Sequence, residues 1–237
     1  MGRAFEFRKA RKLKRWSSMA KTFTRIGKDI SLAVKEGGPN PESNSRLRAV
    51  IQNAKAANMP KENITRAIKN ASEKSTENYK EVVLEGYGPH GIAIIIECIT
   101  NNNNRTVANI RSYFNKCDGS LATSGSVDFL FNHHCFFQIK NDGIDIEELE
   151  LELIDFGAIE LSKIENEISI TAKFEDFGSI QKELEKRKIE ISSSEFEREA
   201  ITTKDLSEEE RQKVEKLINM IDEDEDVQNV YHNMKSY

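Results

Sequence analysis

An unbroken apolar run, GIAIIIECI at residues 91–99, ends at Thr100. It has the length of a strand, and without polar alternation the strand has to be buried. YKEVVLEGY, residues 79–87, reads as a second strand, and GPHG between the two is a turn. The chain then continues as TNNNNRTVANIR, with Val107, Ile110, Tyr113 and Phe114 recurring at helical spacing, so a helix covers about 104–116. An Asn or Thr ahead of such a run is a good N-cap, because its side-chain oxygen accepts an orphan backbone N–H. The four asparagines therefore read as a short strand-to-helix connection, a setting Asn tolerates well. Asn104 and Arg105 are its candidate contact residues.

Upstream, the period is helical throughout. Residues 20–35 place Phe23, Ile26, Ile30, Ala33 and Val34 on one stripe that stops at Gly37-Gly38. Ser43 or Asn44 caps a second helix bearing Leu47, Val50, Ile51, Ala54 and Ala57, and Pro60 opens a third with Ile64, Ala67, Ile68 and Ala71. The first 19 residues lack an apolar period and read as a basic arm, or as a helix that orders on binding.

Downstream, Gly119–Gly125 is a loop, VDFLF is strand-like, and a further strand covers Cys135–Ile139. An acidic helix (146–156), two short strands around Glu165-Asn166, a helix (180–188) and a closing strand (189–198) follow. From Cys135 that order is β-α-β-β-α-β, the split arrangement of a ferredoxin-like unit. LSEEERQKVEKLINMIDE then carries a capping box at Ser207 and Glu210 and an apolar face of Val214, Leu217, Ile218 and Ile221, before a last strand, VQNVYH. A lone helix and strand cannot bury their apolar faces, so they complete the sheet begun at residue 79. The expected class is α+β with three domains, a basic helical one and two ferredoxin-like α/β ones, the third inserted in the second: 1–77; a discontinuous α/β domain, 78–134 plus 200–237; and the inserted domain, 135–199.

Charge is segregated along the chain. Residues 1–75 contain 18 Lys plus Arg against 6 Asp plus Glu, a balance of +12, and the remaining 162 residues carry −17. A cationic module on an acidic body is the footprint of a protein that meets nucleic acid with one part only. The candidate phosphate contacts are Arg8, Lys9, Arg11, Lys12, Lys14, Arg15, Lys21, Arg25, Arg46, Arg48, Lys55 and Lys61, and Phe5, Phe7 and Trp16 offer stacking surfaces among the first of these. No apolar run approaches membrane-spanning length, and the basic N-terminus lacks the apolar core of a secretory signal. A transit peptide is also Arg-rich, but here the segment runs directly into the first helix. Three cysteines without a CxxC pair point to a reducing cytoplasm rather than a disulfide framework or structural zinc.

Catalytic and cofactor patterns are not found. His133, His134 and Cys135 are adjacent and would point to alternating faces of a strand, so they do not make a metal site. The acids of Asp222–Asp226 read as solvated surface, without the glycine and closing Glu of a calcium loop. No phosphate loop or nucleophile elbow occurs. An enzyme using His133, His134 or Asp128 has no evident partner for acid–base work, so no cofactor, metal or small-molecule substrate is expected.

Four segments together resemble the YebC/PmpR family: EGGPNPESNSRLRAVIQNAKAANMPKENITRAIK, EGYGPHGIAIIIECITNNNNRTVANIR, TSGSVDFLF and DVQNVYHNM. The family usually has Asp at the position of Asn101 and a base at that of Asn103, while Asn102, Asn104, Arg105 and Thr106 match. Its Gly-His-Ser-Lys-Trp start and Lys-His-Arg-Lys run are replaced here by GRAFEFRKARKLKRW, which keeps only the basic character. The resemblance implies three domains, the third inserted in the second, and a cytoplasmic, non-enzymatic probable transcriptional regulator that binds DNA. The acidic body suits a DNA binder that recruits RNA polymerase, and equally a factor lodged in a ribonucleoprotein cleft such as the ribosome's. Other members act in translation on ribosomes, which makes a translational activator that binds ribosomal RNA and relieves stalling at proline-rich stretches the alternative.

Overall fold

The computed structural model describes residues 19–73 and 78–235. Three helices come first: α1 (Met19–Gly37), α2 (Ser45–Ala56) and α3 (Lys61–Glu73). Ile26, Ile30, Ala33 and Val34 of α1 share a small core with Leu47 and Ala54 of α2 and Ile64 of α3. Just after α1, Gly38 takes φ +82° and returns its N–H to the Val34 carbonyl, a backbone conformation that a Cβ would disfavour. Asn44 caps α2 by accepting the Leu47 N–H at 2.9 Å, while its amide nitrogen donates to the carbonyls of Ala33 and Gly38. One side chain thus joins the end of α1 to the start of α2.

Two four-stranded antiparallel sheets follow. The first has the order β3-β1-β2-β8, built from β1 (Lys80–Tyr87), β2 (Ala93–Thr100), β3 (Ser120–Leu121) and β8 (Val227–His232). The apolar run becomes β2, central and buried on both faces. Ile94 and Ile96 meet Ile110 and Phe114 of α4 (Asn103–Lys116) and Val214, Leu217 and Ile221 of α7 (Glu208–Asp222). Ala93 and Ile95, on the other face, pack with Val127, Phe131 and Tyr231. The capping box at Ser207 and Glu210 forms and starts α7.

The second sheet has the order β5-β6-β4-β7. Its elements run β4 (Phe131–Lys140), α5 (Ile146–Ile154), β5 (Ala158–Ile164), β6 (Glu167–Lys173), α6 (Phe177–Lys186) and β7 (Ile191–Ala200). Alternate residues of β4, Cys135, Phe137 and Ile139, enter a core shared with Leu149 and Leu153 of α5 and Ile180 and Leu184 of α6. The architecture is α+β, a helical region followed by two sheet-containing units.

Four details differ from the sequence reading. VDFLF is not a strand of its own: Asp128–Leu130 form a 3-10 turn, and β4 begins at Phe131 and runs unbroken past His133-His134. The backbone N–H groups of Gly125, Val127 and Asp128 are taken by the Glu85 carboxylate at 2.6, 2.7 and 3.1 Å, which leaves them unable to join a ladder. The asparagine connection is shorter than four residues, because Asn102 is the N-cap and Asn103 and Asn104 already lie in the first turn of α4. The Asp222–Asp226 turn is solvated surface only in part: Glu223 and Glu225 are exposed, but Asp224 and Asp226 are buried. A boundary drawn after His134 falls inside β4.

Candidate nucleic-acid interface

Lys21, Arg25 and Lys28 occupy positions i, i+4 and i+7 of α1 and so share one helix face. That face meets the turn from α7 to β8. Lys21 Nζ lies 3.3 Å from Asp222 Oδ2. Arg25 donates to Asp222 Oδ1 at 3.0 Å and to the Asp222 carbonyl at 2.8 Å, at the C-terminus of α7, where the helix dipole favours a cation. Burial pushes the Asp222 carboxyl up, but Arg25 and Lys21 outweigh it and hold the carboxyl below its ordinary value. Lys28 Nζ donates to Asp226 Oδ1 at 2.9 Å and to the carbonyls of Glu225 and Ile99 at 2.7 and 3.4 Å. Arg25 is 6% exposed and Lys28 9%, so both charges sit at an internal seam.

Asp226 is the centre of that seam. Its Oδ2 accepts from Arg105 Nη2 at 2.7 Å, Thr106 Oγ1 at 2.8 Å and Thr100 Oγ1 at 3.1 Å. Burial alone would raise its pKa, yet the bonds from Arg105, Lys28 and Thr106 bring it down to about 2. Asp224 accepts from Asn109 and Tyr113 of α4, and its Oδ1 takes the Asp226 N–H in an Asx turn. The acidic turn thereby fastens α1, the end of β2 and the start of α4 to one another. Arg105, singled out as a loop contact, spends its guanidinium on Asp226 and Asn101, and Asn104 is exposed.

Further along the helical region, Arg46 bridges Glu36 and Glu81. Arg48 grips Glu185 of α6 with two nitrogens at 3.1 and 3.2 Å and also donates to the carbonyls of Pro41 and Glu42. Beside it, Asn53 exchanges two bonds with the backbone of Ser194 on β7, at 2.6 and 2.9 Å. Lys55 and Lys61 are exposed. Phosphate contacts through Lys21, Arg25, Arg46 or Arg48 require breaking pairs already made; contacts through Lys55 and Lys61 do not. Arg8, Lys9, Arg11, Lys12, Lys14 and Arg15 lie outside the described residues, as do Phe5, Phe7 and Trp16. Lys28 is a position the sequence reading did not single out, and Asp224 and Asp226 enter it only as part of a solvated acidic run. The signal available was the spacing of Lys28 from Lys21 and Arg25.

The residues weighed for catalysis have structural partners. His133 stacks on Phe174 at 3.9 Å between ring centroids, and burial together with Arg198 lowers its pKa. His134 Nδ1 faces Glu199 at 3.6 Å. Asp128 pairs with Arg198 at 2.6 Å, and Arg198 also holds Glu97 at 3.0 Å. Burial pushes the thiols of Cys98 and Cys135 up to about 12. Among the described residues, no group of three or more His, Cys, Asp or Glu could hold a metal ion, and no helix is long and apolar enough to cross a membrane.

Comparison with known proteins places this arrangement. A family model described as the TACO1/YebC protein N-terminal domain matches residues 3–74, and one described as the TACO1/YebC second and third domain matches residues 79–234. The chain is 69% identical over 235 residues to a protein of Flavobacterium johnsoniae named a probable transcriptional regulatory protein, with 99% of each chain covered. It is 58% identical over 236 residues to a Porphyromonas gingivalis protein of the same name, covering 99% of this chain and 98% of that one. The crystal structure of a conserved hypothetical protein from Aquifex aeolicus is similar at a TM-score of 0.73 and 38% identity, over 91% of this chain and 90% of that one. On these matches, which run through both the helical region and the two sheets, the chain belongs to the TACO1/YebC family of probable transcriptional regulatory proteins.

Proposed function

We infer that this protein is a cytoplasmic regulator of transcription that binds DNA through its basic N-terminal region. The observation that carries the reading is the segregation of charge, +12 over residues 1–75 against −17 over the rest, in a chain whose relatives are named probable transcriptional regulatory proteins. The working division is 1–77 as the basic helical domain, 78–134 with 200–237 as the discontinuous α/β domain, and 135–199 as the insert, joined through the paired strands β4 and β7. The element order and sheet order of β4 to β7 support a ferredoxin-like reading of the insert. The acidic units then position the basic one or engage a protein such as RNA polymerase.

The pairs of Lys21, Arg25, Arg46 and Arg48 sharpen the test. With those four retained inside the chain, eight candidates remain for phosphate: Arg8, Lys9, Arg11, Lys12, Lys14, Arg15, Lys55 and Lys61. Eight contacts to duplex DNA give a log–log dependence of affinity on salt with a slope of roughly −7, whereas twelve give roughly −11. Fluorescence anisotropy with random-sequence duplex between 50 and 200 mM salt reads this slope directly. A salt-insensitive complex, or unaltered binding by Lys12→Glu, Arg15→Glu protein, would overturn the reading. Competition between purified ribosomes and excess duplex identifies the polymer. Retention on ribosomes that the double variant loses would replace the transcriptional reading with ribosomal RNA binding in translation.

A further inference from the structure

Leu151 is 71% exposed, more than any other large hydrophobic side chain among the described residues. It sits on α5, whose Leu149 and Leu153 are buried. At about 100° per residue, Leu151 lies opposite that buried stripe, and Ile154, 53% exposed, lies beside it one turn on. Ile159, 51% exposed, follows in β5 at a register shift between Ala158 and Glu160, where a bulge turns it out of the core. Leu151 and Ile154 therefore share one outward face of α5, and Ile159 is exposed separately on β5.

Their surroundings have one sign of charge. Residues 141–162 hold eight carboxylates and no Lys or Arg. Glu152 is neutralised by Arg187, and Glu150 accepts the Leu161 N–H. Glu147, Glu148, Asp155 and Glu160 are exposed and make no ion pair among the described residues. Such a face repels phosphate and cannot extend the basic nucleic-acid surface. Strand addition is also disfavoured: β5 is the edge of its sheet, but the bulge interrupts its ladder and Glu150 occupies the N–H of Leu161.

We propose that the outward face of α5 is a docking surface for a cationic amphipathic helix of a partner protein. The partner's apolar stripe lies on Leu151 and Ile154, and its Lys or Arg flanks meet Glu147, Glu148 and Asp155, which the helical period places around them. Apolar contact supplies affinity and charge supplies orientation and on-rate. None of the candidate phosphate contacts lies in α5, so the protein can hold nucleic acid and a basic protein at once.

The test uses the intact protein and two synthetic 18-residue Leu/Lys peptides of identical composition. One has Leu at i, i+3, i+4 and i+7 spacing, and the other is scrambled. The patterned peptide is expected to bind at least about tenfold more tightly than the scrambled one, with backbone NMR shifts centred on α5. Leu151→Gln, Ile154→Gln protein should lose that preference while keeping its DNA affinity and its thermal midpoint, because both positions are exposed. Equal binding of the two peptides, shifts centred elsewhere, or a preference that survives in the variant would overturn the proposal. So would a homodimer in sedimentation that the variant abolishes, since the occupant would then be a second copy of this chain.

Discussion

Replacing Asp226 with Asn tests whether the acidic turn holds the molecule together. The carboxyl is drawn from 3.8 to about 2 in the folded protein, a shift equivalent to about 2 kcal/mol of stability at neutral pH. The substitution does more than forfeit that amount. It leaves the Lys28 ammonium, 9% exposed, with neutral carbonyl oxygens and the Tyr79 ring but no carboxylate, and removing one charge of a buried pair costs roughly 3–5 kcal/mol. Asp226→Asn should therefore lower stability by about 3–5 kcal/mol, a large share of the roughly 5–15 kcal/mol typical of a folded protein. Urea unfolding followed by circular dichroism measures the loss. Hydrogen exchange should locate it at α1 and the first turn of α4. Adding Lys28→Met removes the stranded charge, so the double variant should be more stable than the sum of the single effects predicts, by about 1 kcal/mol or more. The pH dependence has a definite sign. A depressed carboxyl pKa gives stability that is complete above about 3.8 and is lost as pH falls through about 2, so the gap between wild type and Asp226→Asn should narrow between pH 4 and pH 2. A variant within about 1 kcal/mol of wild type, or a gap that stays constant to pH 2, would refute this account.

Three further outcomes follow from single contacts. Glu85→Gln replaces an acceptor of three backbone N–H groups and should cost about 2–3 kcal/mol, with faster amide exchange at Gly125, Val127 and Asp128. Ser207→Ala removes the capping box of α7 and should cost about 1 kcal/mol, read as a lower denaturation midpoint with an unchanged slope. Gly86→Ala places a Cβ 2.6 Å from the Phe114 ring and 2.8 Å from the Ser120 carbonyl, so thermal unfolding should report a loss of about 1–3 kcal/mol.

What the sequence made legible was whatever a local period encodes. The stripe of α1, the Asn44 cap, the buried run of β2 and the capping box of α7 each depend on residues within a turn or two of one another, and each formed. VDFLF misled because its apolar pattern fits a strand, while its backbone donors had been claimed by Glu85, some 40 residues earlier. The acidic turn misled for the same reason at longer range. A cluster of Asp and Glu reads as solvated unless its partners are known, and Asp226 finds Arg105 and Lys28 at sequence separations of 121 and 198.

That failure bears on the charge argument. Segregation of +12 from −17 in the sequence suggests two surfaces held apart, one for a polyanion and one for something else. In the structure the two partly cancel: Lys21, Arg25 and Lys28 close on Asp222 and Asp226, Arg46 on Glu81, and Arg48 on Glu185. Opposite charge along the chain is thus used first to dock the helices on both sheets, and only the remainder is available to a ligand. Coulomb attraction in a buried seam is screened far less than at the surface, so added salt should strip a bound nucleic acid well before it loosens the seam. A salt slope near −7 in a protein whose α1 amides stay protected throughout the titration would fit that order. A slope near −11 with those amides exposed would mean that phosphate competes successfully for Arg25 and its neighbours, and that the docked arrangement is a state the ligand opens.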